Sequence, residues 1–337
     1  MFGMTKLVGI DLGTVNTLAY TQEEGIILEE PSVVAIADGD KVLAIGSRAH
    51  EMVGKTPSSI QAIRPLKDGV IADFDITREM IRRLFLEIRK QTGALRTLKV
   101  AVCVPSRVTE VEKRAILDAT LQAGARRAFL IEEPMAAAIG VGLDIGAPRG
   151  NMIIDIGGGT TDIAVISLGR IVVDSSMRLG GNEFDQDIVK FVKDRYSLII
   201  GENTAETVKK QIGRAIPHDD PEMIEVKGRD MVSGLPRTEE ITSLEVHEAL
   251  TEHLDQIVQN IKGVLERTPP ELAADIIDQG IVMTGGGSLL RGIDQLISDA
   301  TLVPVSIAED SLRSVVKGAG AVLDEIRHIE TLEMIKR

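Results

Sequence analysis

Two stretches of this chain, VGIDLGTVNT (Val8 to Thr17) and IIDIGGGTTD (Ile153 to Asp162), share one plan. Each runs from an apolar strand into Asp, one apolar residue and Gly, then through a Thr-containing turn into a second strand. Their aspartates, Asp11 and Asp155, stand 144 residues apart, a domain-sized interval. A turn this specific, repeated at that spacing, reads as an internal duplication in which each half opens on a β-hairpin. The length of 337 residues suits roughly two domains.

The glycines of both turns lie between two strands. They are not followed by Lys-Ser/Thr, as in a P-loop, and they do not open a helix, as in a dinucleotide fold. Glycine admits positive φ and lets backbone approach a ligand closely. Exposed amides and threonine hydroxyls can then donate to phosphate oxygens. A carboxylate at the end of each first strand would repel that phosphate unless a cation lay between them. Mg²⁺ fits, because it is commonly held by one or two carboxylates, waters and the phosphates themselves. Asp11 and Asp155 are therefore the candidate metal ligands, and the expectation is a metal–triphosphate clamped between two domains. A tight β-turn with a surface aspartate explains either turn alone but explains the pair poorly. A third glycine turn, IVMTGGGSLLRG (Ile281 to Gly292), follows a strand and leads toward a helix, whose N-terminus would offer free amides and a positive dipole.

Composition narrows the function classes. Aromatic residues are only 2% of the chain and Trp is missing, so the core is expected to be aliphatic. The formal charge of −13, from 38 basic and 51 acidic residues, argues against non-specific nucleic-acid binding, which needs phosphate neutralisation. It also argues against general attraction to an anionic bilayer, although a local patch could act. The single cysteine, Cys103, sits in an alternating apolar run and reads as a small buried hydrophobe. One cysteine allows no intrachain disulfide, which suits a reducing compartment. There is no apolar stretch of about 20 residues, and the opening MFGMTKLVGID is short for a secretory signal. A soluble, cytoplasmic protein is expected.

Along the chain, strand and helix patterns alternate. KLVGID and TLAYTQ read as strands, and GIILEE, SVVAIAD and KVLAIG continue a β-rich opening. ITREMIRRLFLEIRKQ has the i, i+4 apolar spacing of an amphipathic helix. KVAVCVP is a strand, TEVEKRAILDATLQAG a helix opened by Thr109, RAFLI a strand, and PMAAAIGVGL a helix begun by Pro134. From Asn151 the plan restarts, with helices over NEFDQDIVKFVKDRYSLII, TAETVKKQIGRAI and SLEVHEALTEHLDQIVQNIKGVLERT. MIEVKGRDMVSGLPRTEEIT is a β-rich insertion, and SVVKGAGAVLDEI is a closing helix.

IDLGTVNT, DIGGGTTD and TGGGSLL, in this order, resemble the two phosphate loops and the adenosine loop of the actin, sugar kinase and chaperone ATPase superfamily. EEPMAAAIG and KGAGAVL match its linking helices. EPSVVAI, AIRPLKDGVIADFD, VCVPS, AGARRAFLIEEPMAAAIG and TAETVKKQIG narrow the resemblance, over essentially the whole chain, to the bacterial actin homologues of the MreB family. The resemblance implies an α/β, actin-like ATPase fold: two duplicated ribonuclease-H-like domains, each with a small inserted subdomain, and a nucleotide in the central cleft. The expected domains are 1–141 (small subdomain about 32–65), 142–317 (small subdomain about 180–245) and a closing helix, 318–337, returning to the first. It implies ATP and Mg²⁺ as cofactors and ATP hydrolysis coupled to polymerisation. The chain's partners would be further copies of itself, a membrane surface, and cell-wall synthesis and shape-determining proteins, at the inner face of the cell membrane.

Carried over by matching positions, Gly13, Thr14, Val15 and Asn16 would line the first phosphate loop and Gly157, Gly158 and Gly159 the second. Glu206 and Lys209 would reach the nucleoside, and Gly286, Gly287, Ser288 and Leu289 would complete the pocket. Glu133 matches the residue that positions the attacking water, and Thr160 the one that assists near the γ-phosphate. Simpler readings stand beside two of these. Glu133 could complement the dipole of the helix that Pro134 opens, and Glu206 with Lys209 has the spacing of a helical i, i+3 ion pair. Val15 stands where the family often has alanine, and Asp162, where relatives often carry glutamate, has no assigned role.

The insertions EPSVVAI…VLAIG and EVKGRDMVSGLPR correspond to the family's two small outer subdomains, which carry longitudinal filament contacts. Membrane contact would fall to Phe2 or to Ala94 and Leu95. Each contributes only a few kcal/mol, which repetition along a filament would multiply. A monomeric chaperone-like ATPase, a sugar kinase and a catalytically inert nucleotide-binding scaffold are the rival readings.

Overall fold

A computed structural model describes residues 5–37, 41–57, 59–92 and 97–323. Phe2, Ala94, Leu95 and the last part of the expected closing helix, 324–337, lie outside the described residues. The chain divides into two compact units, one of Met1–Gly146 with Leu312–Arg337 and one of Ala147–Ser311.

In unit 1, β1 (Thr5–Leu12) and β2 (Asn16–Thr21) form the first hairpin, antiparallel, with Asp11 opposite Leu18. β3 (Gly25–Pro31) extends it on one side. On the other side β4 (Thr97–Val104) and then β5 (Arg127–Glu132) add in parallel, which requires crossover helices between them. α1 (Phe74–Thr92) and α2 (Glu110–Gln122) supply these crossovers. Thr109 caps α2 in a reciprocal capping box with Glu112, as its place in the sequence predicts. α3 (Glu133–Gly140) follows β5 directly, with Pro134 in its first turn.

Unit 2 repeats the plan. β6 (Asn151–Ile156) and β7 (Thr161–Ser167) form the second hairpin, with Asp155 directly opposite Asp162. β8 (Arg170–Met177) extends it, while β9 (Ile281–Thr284) and β10 (Val305–Ile307) add in parallel. The strand orders are β3-β2-β1-β4-β5 and β8-β7-β6-β9-β10. Position for position these are the same sheet, so the duplication seen in two turns extends to the topology. Every residue of β6 and β7 is buried, the pattern of a strand covered on both faces. The covering helices are α4 (Gly181–Tyr196), α5 (Glu202–Ile212), α6 (Ser243–Arg267), α7 (Pro270–Gln279) and α8 (Ile293–Thr301).

Both cores are aliphatic, with Phe85 and Phe184 as the large aromatic contributions. Cys103 is buried in β4 with its thiol toward the Val315 carbonyl. Each unit carries a small additional sheet, of residues 34–37, 41–45 and 60–63 in unit 1 and 198–199, 223–230 and 236–242 in unit 2. No helix among the described residues is long and apolar enough to cross a membrane.

The structure departs from the sequence reading in three places. The helix expected over NEFDQDIVKFVKDRYSLII stops at Tyr196, because Ser197 turns left-handed (φ 52°) and Leu198–Ile199 pairs with residues 229–230 as a strand. The short helix α7 has no counterpart in the sequence reading. The third glycine turn enters a 3₁₀ turn, Gly286–Leu289, and only later the α8 helix.

Candidate functional site

In unit 2 the parallel strands β6 and β9 end side by side, with Asp155 in register with Thr284. Each strand runs straight into a glycine turn, 157–159 after β6 and 285–287 after β9. Carboxyl ends of parallel strands are where open α/β sheets bind ligands. The 285–287 turn is pressed against the end of β6. A Cβ on Gly285 would lie 2.7 Å from an Asp155 carboxylate oxygen, and one on Gly287 would lie 3.0 Å from the Ile156 carbonyl and still nearer its side chain. Gly285 also needs its positive φ of 82°. Gly13 and Gly157, by contrast, do not have positive φ. At Gly13 the requirement is close approach, since a Cβ there would sit 2.6 Å from the Asn16 carbonyl, whereas a Cβ on Gly157 would meet only ordinary contacts.

The second hairpin is closed by the Gly157 amide donating to the Thr160 carbonyl at 2.8 Å. The N-terminus of α4 grips it from one side: the Gly181 amide donates to the Gly157 carbonyl at 3.0 Å and the Asn182 amide to the Gly158 carbonyl at 2.8 Å. In a trans peptide the carbonyl of one residue and the amide of the next point in opposite directions. With both carbonyls turned into α4, the amides of Gly158 and Gly159 face the other way. The first turn of α4 thus uses its free amides to aim the hairpin's amides. Gly180 makes room for this, since a Cβ there would be 2.7 Å from the Gly157 carbonyl. The Thr161 hydroxyl, donating to the Leu179 carbonyl at 2.8 Å, fixes the chain leading into α4.

Asp155 is buried, and its carboxyl accepts from the Thr284 hydroxyl at 2.9 Å. Burial pushes its pKa up to about 7, with the Thr284 hydrogen bond opposing and the nearby Asp162 carboxylate adding to the rise. Asp162 itself is fully buried on β7. Thr160 is buried at the end of the turn.

On α5, Lys209 donates to the Gly181 carbonyl at 2.6 Å and pairs with Asp185 at 2.8 Å, while Glu206 pairs with Lys210 at 2.7 Å. The chain beyond α5 bridges Arg214 to Arg291, and the Ala215 amide donates to the Arg291 carbonyl, so α5 is fastened to the chain leaving the 3₁₀ turn. In that turn the Ser288 hydroxyl donates to the Gly285 carbonyl at 2.7 Å, and Leu289 is exposed. The structure therefore gathers Asp155, Gly157–Gly159 and Thr160 with Gly286–Ser288, and links them to the helix carrying Glu206 and Lys209.

In unit 1 the turn of Gly13, Thr14, Val15 and Asn16 is braced by Ser32. The buried Ser32 hydroxyl donates to the Gly13 carbonyl at 2.6 Å, its amide donates to the Val15 carbonyl, and Thr17 lies 2.8 Å from it. The Thr14 hydroxyl accepts from the Gly69 amide at 3.0 Å, which leaves its own proton to donate. Asp11 is the penultimate residue of β1, ahead of this turn. Glu133 is the first residue of α3 and is buried beside Pro134. Sequence reasoning missed Ser32, Gly69, Thr284, Asp185 and the Gly180–Asn182 segment. Of these, Ser32 in EPSVVAI, Gly69 in AIRPLKDGVIADFD and Thr284 in TGGGSLL lay within recognised motifs, but without an assigned role.

A family model described as MreB/Mbl protein matches residues 5–331. The cell shape-determining protein Mbl of Bacillus subtilis is 50% identical over 320 residues, covering 95% of this chain and 96% of the relative. The crystal structure of MreB5 of Spiroplasma citri bound to ADP superposes with a TM-score of 0.91 at 40% identity, covering 97% of this chain and 98% of that one. MamK, solved as a double helical filament, shares the fold with a TM-score of 0.80 at 22% identity, over 94% of this chain and 98% of that one.

Proposed function

Because the chain belongs to the MreB/Mbl protein family and has its actin-like fold, we propose that it is an ATP-binding cytoskeletal protein that polymerises, hydrolyses ATP and sets cell shape. The observation that carries this reading is the 285–287 turn packed on the end of β6, with the amides of the 157–159 turn directed away from α4. Outward amides supply fixed donors for phosphate oxygens without moving during the reaction. A relative of this family is seen with ADP, and the same turns are the elements available here for an adenine nucleotide.

The residues fit a magnesium ion. Burial raises the Asp155 carboxyl, and a cation beside it would favour its ionised form. Among the described residues no group of three or more His, Cys, Asp or Glu side chains could hold a metal. The proposed ion would be carried in by phosphates and waters, with Asp155 and Asp11 as the candidate carboxylates. When bound, Mg²⁺ would neutralise charge on the phosphates. Among the chain's own groups, Glu133 would orient the attacking water and take up its proton, and Thr160 would hold the γ-phosphate end. The Thr14 hydroxyl would add a donor, and Glu206 would serve the nucleoside.

Polymerisation is supported by the exposed Met231, Val232 and Leu235 at the turn between strands 223–230 and 236–242. Apolar surface of this kind marks a contact. With ATP and Mg²⁺ the protein is expected to sediment on ultracentrifugation and to show filaments by negative-stain microscopy. Protein that stays in the supernatant at micromolar concentration across salt and Mg²⁺ series would overturn the reading. Filaments are further proposed to lie on membrane through Phe2 or Ala94 and Leu95. Co-sedimentation with liposomes is expected to drop for Leu95→Asp or for deletion of Phe2, and unchanged binding in both would reject these anchors.

A further inference from the structure

Ser32 holds the first glycine turn from a buried position. Its hydroxyl donates to the Gly13 carbonyl at 2.6 Å and its amide to the Val15 carbonyl at 2.8 Å. A carbonyl only accepts, so the one hydroxyl proton of Ser32 is spent on Gly13. In the 2.8 Å contact between the Thr17 and Ser32 hydroxyls, Thr17 is therefore the donor. The three groups form a chain with one direction, from the Thr17 hydroxyl through the Ser32 hydroxyl to the Gly13 carbonyl. Thr17 and Ser32 are 1% and 0% exposed, so bulk water does not compete for these bonds.

These bonds fix what the turn presents. In a trans peptide the carbonyl of one residue and the amide of the next point in opposite directions. With the Gly13 and Val15 carbonyls both turned onto Ser32, the amides of Thr14 and Asn16 point away from it. In unit 2 the Gly157 and Gly158 carbonyls are held by amides at the start of α4. In unit 1 the hydroxyl and amide of one serine take that part. Ser32 is also where the chain leaves β3 for the small sheet. Residues 34–37 pair with 41–45 and with 60–63, and the chain then returns through Gly69, whose amide donates to the Thr14 hydroxyl at 3.0 Å. The segment that carries the small sheet thus grips the turn at both of its ends.

We propose that Ser32, oriented by Thr17, is a positioning residue for phosphate: it turns the Gly13 and Val15 carbonyls toward itself so that the Thr14 and Asn16 amides are presented to a nucleotide's phosphates. The proposal rests on the nucleotide-binding reading above. Ser32 itself touches no phosphate, and its effect on binding passes through the backbone of residues 13–16.

The test compares ADP with adenosine by calorimetry on the full chain, for the wild type, Ser32→Ala, Thr17→Val and the double variant. ADP affinity is expected to fall about tenfold in Ser32→Ala and about threefold in Thr17→Val, with adenosine affinity within about twofold in both. The double variant should bind ADP as Ser32→Ala does, because Thr17 acts through the Ser32 hydroxyl. Losses that add instead, or a parallel loss for ADP and adenosine, would overturn the proposal. So would a lowered melting temperature with the ADP-to-adenosine ratio unchanged, the mark of a purely structural role. If Ser32→Ala does not fold, Thr17→Val, which keeps the Ser32–Gly13 pair, carries the same comparison. Amide hydrogen exchange without nucleotide gives an independent reading. The Gly69 amide, whose acceptor Thr14 rides on the turn, should exchange about fivefold faster or more in Ser32→Ala, with the interior of β1 unchanged. A Gly69 amide protected as in the wild type refutes the positioning role. A wild type that does not bind ADP would instead sink the nucleotide reading, and the exchange result would still decide whether Ser32 orders the turn.

Discussion

Replacing Glu133 with alanine is expected to slow phosphate release from ATP by about a hundredfold or more while leaving ADP affinity within about twofold. Glu133 is buried at the first position of α3, ahead of a proline that fixes the start of the helix. A buried carboxylate on a backbone anchored this way suits the orienting of a water. Phosphoryl transfer asks little more of a protein than positioning and charge neutralisation, which is why one misplaced water costs so much. The competing role, complementing the α3 dipole, predicts a different signature. Loss of a dipole partner costs about 0.3–1 kcal/mol of stability and leaves the hydrolytic rate alone. Phosphate release and thermal melting measured on the same Glu133→Ala preparation separate the two, and equal rates in variant and wild type would remove Glu133 from the mechanism.

The largest effect on stability is expected at Gly318. A Cβ there would overlap the Ala136 carbonyl, and one on Gly140 would overlap the Ser314 carbonyl. α3 and the closing helix, of which residues 314–323 are described, therefore cross backbone to backbone. Steric relief elsewhere comes from rotating a side chain, but here the obstacle is main chain. Gly318→Val is expected to cost about 3 kcal/mol or more, the upper end of the overpacking range. That corresponds to a fall in melting temperature of about 4 °C or more for a chain of this size. Scanning calorimetry decides it: a melting point within about 1 °C of wild type would mean the crossing opens at little cost. Because α3 carries Glu133 at its start, the same variant should also hydrolyse ATP more slowly.

Much of this was legible in the sequence because it is local. Period-2 apolar runs ending in Asp and glycine turns identified both hairpins, and the 144-residue offset between Asp11 and Asp155 implied two copies of one sheet. The identical strand orders bear that out. What was not legible depends on partners far away in the chain. Leu198–Ile199 looks like the end of an amphipathic helix and becomes a strand only because residues 229–230 offer an edge. Lys209 looks like the partner of Glu206 until the fold places Asp185 beside it. Ser32 braces the first turn across 19 residues, from Ser32 to Gly13, with nothing in its neighbours to say so. The glycines at 140 and 318 could be matched to a family motif, but the reason for them is a crossing between segments 178 residues apart.

That crossing bears on how the chain is made. Unit 1 is discontinuous: its closing segment begins at Leu312, after the whole of Ala147–Ser311 has been inserted. A chain emerging from the ribosome delivers β1 to β5 and α3 early, yet Ala136, Ala137 and Gly140 have no helix against which to pack until Gly318 arrives. Domains ordinarily complete in the order in which they are synthesised. Here the later unit can finish first, while the earlier one waits with an unpaired helix until the segment from Leu312 onward has been made.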